Sequence, residues 1–404
     1  MTSSPQPGNP PHGAPVDAAG VPTSGGYAAG GPREPQPSDQ ASRRLTGIDV
    51  ARGLAILGMF VAHLGADTAD GGADPGWHMI ADGRSAALFA FLAGVSLALS
   101  TGRRDPPTGL VLARARLKIF YRAGLLLILG LVLVALGTPV LVILPAYAVM
   151  FVLALPFLAA ARRWILLGAG TAAFVSPVVI FLLTTPLSPG DRSYVGELTG
   201  LADPVEIPMD VFATGHYAAL IFSAYVLLGL AVGRSDLTSA RFQAGMVAVG
   251  ATLATVAWGS SRLLLDAGVS EASPYLHRLI SGGPHEYSPV EVVGSCGTSL
   301  AVTGLLLLFT RPGAAGRVVS AVLSPAAAAG AMSLTVYSVQ IVAIAIMGND
   351  IVWYPESNAV LVWFIVIALA FAWLWRRFLG RGPIERLLTA LVGSTTGPAP
   401  ASAH

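Results

Sequence analysis

The sequence predicts an all-α, polytopic membrane protein, and three observations predict it. Apolar residues make up 54% of the chain and fall in long blocks, each roughly 20 residues, the length a bilayer core requires. Charged residues are only 11%, against about a quarter in a soluble domain, too few to cover a water-facing surface. Basic residues gather in alternate loops, the pattern by which cytoplasmic loops are recognised.

Taken in order, residues 1–42 are Pro, Gly, Ala and Ser with few large apolar side chains. Such a stretch buries too little surface to offset the entropy of ordering, which predicts a disordered cytoplasmic tail. The transmembrane domain is expected over 43–390, with a second disordered tail at 391–404. About ten spans are predicted, near 48–66, 84–101, 119–137, 139–160, 164–184, 214–233, 243–262, 290–310, 329–347 and 358–378. With this division, most basic residues fall on one side, among them Arg43, Arg103, Arg116, Arg162, Arg234, Arg311 and Arg386. Most acids fall on the other, among them Asp67, Asp82, Asp191, Glu206 and Glu286. A wrong span count would scramble that asymmetry, so both termini are expected in the cytoplasm and the protein as multi-pass in the plasma membrane. The predicted outer loops, 64–83, 185–213 and 263–289, are the long ones, which points either to an external substrate or to loops that merely tolerate insertion. The single cysteine, Cys296, lies in an apolar run and excludes an intrachain disulfide.

The first span, "GIDVARGLAILGMFVAHL", carries Asp49, Arg52 and His63, and ionisable groups are costly in hydrocarbon. From Arg52 to His63 is eleven residues, three turns plus roughly 20°, so both leave one face about 16 Å apart along the axis. Asp49 precedes Arg52 by three residues, within ion-pair reach. Headgroup anchoring accounts for Asp49 and Arg52 but not for His63, for which a helix-packing contact is the alternative. An acyl-CoA donor accounts for all three. The forked guanidinium of Arg52 suits phosphate on the cytoplasmic side, and an imidazole near the outer end suits removal of a proton from an attacking hydroxyl or amine.

Other residues join this picture. Arg122 falls just inside the third span and is a candidate for the donor phosphates, beside ordinary positive-inside anchoring. Arg84 opens the second span on the outer side, where a carboxylate is the expected partner. His216 and Tyr217 open the sixth span; His285, Glu286, Tyr287 and Glu291 open the eighth. With His63, His78 and Asp82 they are expected to ring an external acceptor cleft, the alternative being capping and interface-belt roles. Glu291 lies inside its span and needs a partner, with Arg84 or a histidine expected. Ser333, Tyr337 and Gln340 recur at four and three residues, one polar stripe that either bonds helix to helix or lines a donor tunnel.

The first span resembles that of acyltransferase family 3, in which an Asp, an Arg three residues on and a His eleven beyond the Arg recur. "GWHMIADGRSAALFAFLAGVSLALS", "FATGHYAALIFSAYVLLGLAVGRSDL", "AMSLTVYSVQ" and "GPIERLL" resemble instead the bacterial relatives of heparan-α-glucosaminide N-acetyltransferase, the group with domain of unknown function 418. The resemblance covers 45–390. It implies transfer of an acyl group, acetyl above all, from cytoplasmic acyl-CoA to an acceptor across the membrane, with the family 3 histidine, here His63, as base. Animal members of the second group have an amide residue at that place and the histidine in the following loop, where His78 falls. This chain offers both, and His63 ranks first, His78 second.

The expected function is therefore an acyl-CoA-dependent membrane acyltransferase acting on a hydroxyl or amine of an extracytoplasmic glycan, glycolipid or metabolite. The alternative is a transporter of a small polar solute, which the absence of an internal repeat disfavours. No metal is expected, since no metal-ligand spacing occurs, and no aromatic-basic surface points to nucleic acid. The expected partners are the acceptor and membrane lipid, with a homodimer left open.

Overall fold

The computed structural model describes residues 45–66, 77–184, 212, 217–269, 274–355 and 357–396. The helices are α1 (Thr46–Leu64), α2 (Arg84–Ser100), α3 (Gly109–Val134), α4 (Leu144–Ala154), α5 (Arg162–Thr184), α6 (Ala219–Gly233), α7 (Ala240–Asp266) and α8 (Pro274–Ile280). There follow α9 (Pro289–Phe309), α10 (Ala314–Val322), α11 (Ser324–Ala331), α12 (Ser333–Met347), α13 (Asp350–Trp353), α14 (Ala359–Phe378) and α15 (Pro383–Thr396). Short 3₁₀ turns at Trp77–Ile80 and Leu155–Ala159 complete the described elements, and no strand occurs among the described residues. The protein is an all-α, polytopic membrane protein.

Among the described residues, six helices are long and apolar enough to cross a bilayer: α1, α3, α5, α7, α9 and α14. The pair α10 and α11, bent by 65°, would make a seventh. The other predicted segments are also helical, but α2, α4 with its 3₁₀ extension, α6 and α12 are shorter. Length rather than polarity separates them, because a helix of about 15 residues covers roughly 23 Å. The first predicted tail lies outside the described residues, and α15 runs past 390 into the stretch assigned to the second.

The predicted ninth span, 329–347, is not one helix. It breaks at Met332, between α11 and α12. Leu334 N, which in a continuous helix would donate to Gly330 O, donates to Glu385 Oε1 instead at 2.8 Å, and Thr335 N does so at 3.1 Å. Thr335 Oγ1 donates to Glu385 Oε2 at 2.6 Å. A carboxylate from α15 thus caps the opening of α12, which satisfies donors that a helix start leaves without partners.

Glycines set how closely the central helices approach, the packing mode open to membrane helices. A Cβ at Gly330 would collide with Asp49 O and Gly53 N, so α11 lies directly on α1. Gly94 meets Val226 O and Gly229 meets Phe91 O, which seats α6 on α2. Gly250 and Gly297 bring α7 onto α9 in the same way. α1 and α9 are largely buried, whereas α14 buries only Leu361 and Ala372 and turns most of its apolar surface outward. On the opposite side from Asp82, Arg234 closes the ends of α2 and the Leu155–Ala159 turn. It donates to Thr101 O (2.8 Å), Arg103 O (2.7 Å) and Leu158 O (2.5 Å), a cation placed on free helix-terminal carbonyls.

Candidate functional site

The break at Met332 has a direct consequence for α1. Gly330 O, released from its helical partner, accepts from Arg52 Nη1 at 3.3 Å. The same nitrogen meets Asp49 Oδ1 at 3.3 Å, and Nη2 donates to Ser96 Oγ at 2.7 Å. Arg52 therefore joins α1, α2 and α11. The expected Asp49–Arg52 pair is present, and the guanidinium also serves two neutral groups that sequence reading did not name, Ser96 and Gly330. Arg122 on α3 lies close enough to feel the charges of Arg52 and Glu385.

Eleven residues on, His63 is half-buried and its Nδ1 lies 3.2 Å from Gln340 Nε2. Arg52 and His63 thus address α11 and α12 in turn, as one face of α1 requires. Gln340 is buried, and its Oε1 has no partner among the described residues. Tyr337, one turn earlier, accepts from Ile143 N at 3.1 Å and lies 3.5 Å from Leu141 O. Two members of the predicted polar stripe therefore bond from helix to neighbouring segment. Ser333 lies half-buried at the opening of α12.

His78 sits in the 3₁₀ turn against the end of α1; a Cβ at Gly65 would come within 3.3 Å of the His78 Cβ. Its Nδ1 is buried without a partner among the described residues. Its charge reaches Asp82, and those of Asp82 and His285 reach His63. Four groups named from the sequence, in three separate segments, are therefore neighbours.

The loop before α9 is the most constructed part of this cluster. His285 and Tyr287 both adopt left-handed backbone, with φ of 59° and 56°. Non-glycine residues hold such angles only when the surroundings over-determine them. Glu291 does this: Oε1 accepts from His285 N (2.9 Å) and Oε2 from Tyr287 N (2.5 Å). Ser288 Oγ accepts from Glu291 N at 2.8 Å and donates to Ser281 O, so the sequence "SPVE" forms the N-terminal cap of α9. The partner expected for Glu291 was Arg84 or a histidine. The observed hydrogen-bond partners include the backbone of His285, because a carboxyl at the third position of a helix can reach back to the preceding amides.

So held, His285 places Nε2 at 3.3 Å from Asp82 Oδ1 and Nδ1 at 3.3 Å from Tyr287 Oη. Burial works to raise the Asp82 carboxyl. The hydrogen bond and charge of His285, the Gly83 amide and His78 outweigh it and hold Asp82 below the ordinary carboxylate range. Burial, then the charges of Glu291 and Tyr217, pushes the Tyr287 phenol up, although the Ala218 amide donates to it. Burial, Tyr337 and Asp82 push Tyr217 up likewise. Both phenols stay protonated; one hydrogen bond joins His285 Nδ1 to the Tyr287 hydroxyl and another joins Nε2 to Asp82, with the donor in each set by the imidazole tautomer. An imidazole oriented by a carboxylate is the arrangement that general bases use.

Tyr217 packs edge-on to His285 with ring centres 5.7 Å apart. Arg84 lies over the Trp258 ring at 4.5 Å, and the charges of Glu291 and Asp82 reach it. Trp258 had no sequence signal: it is one apolar residue in an apolar helix, placed here because Gly294 leaves room for its ring. Glu286 is exposed. His216 lies outside the described residues. Another residue without a sequence signal is Tyr147, on α4, whose buried hydroxyl has no partner among the described residues.

Residues 44–265, more than half of the chain, match the family described as heparan-alpha-glucosaminide N-acetyltransferase, catalytic. No curated protein matches the chain.

Proposed function

From the premise that the chain belongs to the heparan-α-glucosaminide N-acetyltransferase family, an acetyltransferase family of the membrane, we propose that it takes an acetyl group from acyl-CoA in the cytoplasm. The acceptor is a hydroxyl or amine of an extracytoplasmic glycan, glycolipid or metabolite at the plasma membrane. The donor side holds Arg52, fixed by Asp49, and Arg122. The acceptor side holds Asp82, Arg84, Tyr217, His285, Glu286 and Glu291, with His216 assigned there from the sequence. His63 ranks first as the base that removes the acceptor's proton, and His78 second.

One observation carries this reading: Arg52 and His63 leave one face of α1 and address the two halves of one broken helix. A donor held beside the first could thereby present its thioester near the second, which supplies the proximity that group transfer needs. A proton acceptor positioned at the attacking group contributes about 10²- to 10⁴-fold to such a step.

The experiment uses the purified protein in lipid nanodiscs with labelled acetyl-CoA and glucosamine as probe acceptor. The parent is expected to release CoA and form labelled amide. His63→Ala is expected to lose at least about 100-fold, and His78→Ala to lose less. Parent-like rates in both variants would overturn the assignment of the base. Solute flux in vesicles without CoA release would overturn the enzyme reading itself.

A further inference from the structure

Tyr147 is buried on α4, and its hydroxyl has no hydrogen-bond partner among the described residues. Burial of a polar group without a partner is costly, and an apolar ring of the same shape avoids that cost. Phenylalanine would fill the space equally well. A hydroxyl in such a place calls for a use beyond packing.

The position narrows the use. Phe89 and Phe151 clamp the Tyr147 ring edge-on, with ring centres at 5.5 and 6.0 Å. The ring cannot swing toward another acceptor without displacing them. Tyr337 is near enough to act on Tyr147 electrostatically, but its own hydroxyl is engaged with Ile143 N and faces Leu141 O. Arg52 and Tyr217 also act on Tyr147. Phe89, the α2 ring against Tyr147, stands on that helix between Arg84 at its outer end and Ser96, which bonds Arg52, so Tyr147 packs at a depth between the acceptor-side cluster and the donor-side cation. Along α12, Tyr337 stands one turn from Gln340, the residue that bonds His63. Tyr337, which acts on Tyr147, and Gln340, which bonds His63, thus share one face of α12.

We propose that the Tyr147 hydroxyl is the donor that stabilises the thioester oxygen during transfer; this rests on the acyltransferase reading above. The acceptor's lone pair forms a bond to the acetyl carbonyl carbon. The carbonyl π pair moves onto oxygen, which becomes an oxyanion and accepts a hydrogen bond from Tyr147. The acceptor's proton passes to the base. The carbonyl then re-forms, the carbon–sulfur bond breaks, and its electron pair leaves on the CoA sulfur, which takes the proton from the base. Tyr147 keeps its own proton throughout. A fixed donor in a water-poor site acts most strongly where charge develops, which is in the transition state.

The test is Tyr147→Phe, which removes one oxygen atom. CoA release is measured with glucosamine and also without acceptor, where water attacks through the same oxyanion. Loss of one such donor is expected to lower both rates about 100- to 1000-fold. The KM for acetyl-CoA is expected to change little, because the bond is made in the transition state. The melting temperature is expected to hold or rise, which a structural hydroxyl would not allow. Rates within threefold of the parent overturn the proposal. So does a loss of rate matched by a lower melting temperature. A parent that releases no CoA in either assay overturns the acyltransferase reading, and the role of Tyr147 falls with it.

Discussion

Glu291 offers the most direct perturbation of the outer site. Its two oxygens accept from two left-handed residues, His285 and Tyr287, which flank Glu286. Glu291→Gln keeps the shape but turns one acceptor into an N–H₂ donor. One backbone N–H then faces another donor in a buried setting, at a cost of about 1–3 kcal/mol. The left-handed backbone adds strain that the carboxyl helps to offset, so the loss falls on local opening of the loop rather than on global unfolding. Each 1.4 kcal/mol is tenfold, which makes opening about 5- to 150-fold more frequent. Hydrogen exchange read by mass spectrometry in nanodiscs measures this. Amides of residues 281–288 are expected to exchange faster by that factor, with α12 unchanged. Identical exchange in variant and parent would show that the capping carboxyl does not hold the loop, and the argument for a built acceptor site would fail with it.

Other predictions follow from the same geometry. Asp82 has a folded pKa below its ordinary value of about 4; its contribution to stability is present above that value and is lost as pH falls through the folded one. The melting temperature of the parent is therefore expected to fall more steeply below about pH 4 than that of Asp82→Asn, with a constant offset near neutral pH; parallel curves would refute this. Gly330→Ala forces a methyl group into Asp49 O and Gly53 N and is expected to cost about 1–3 kcal/mol. Gly245→Ala, with nothing within 4 Å, is expected to leave thermal scans unchanged. Arg52→Lys keeps the charge but cannot hold Asp49, Ser96 and Gly330 with one ammonium, so a loss of about 1–3 kcal/mol is expected; a parent-like melting curve would contradict the three-way bond.

The helical class was legible because apolar runs of bilayer length leave few alternatives. Asp49 and Arg52 paired as their spacing requires, since three residues on a helix is a local distance. The break at Met332 was not legible. It depends on Glu385, which lies fifty residues farther on and competes for the amides of Leu334 and Thr335. The contact between Asp82 and His285 spans 203 residues and has no local signature. The cap formed by Ser288 and Glu291 was readable as a spacing, yet an acid inside an apolar run invited a search for a charged partner instead. Tyr147 was invisible for a different reason: its significance is a missing bond, and sequence carries no record of that.

The carboxyl that caps α12 arrives late in the chain. A ribosome has delivered α1 to α14 before Glu385 emerges. Until then Leu334 and Thr335 lack that acceptor, and Gly330 O can be claimed by its ordinary helical partner rather than by Arg52. Assembly of the interior therefore waits on a segment translated after α14, and a nonsense codon shortly before Pro383 would leave a product that keeps its long hydrophobic helices yet is wrongly wired at its centre.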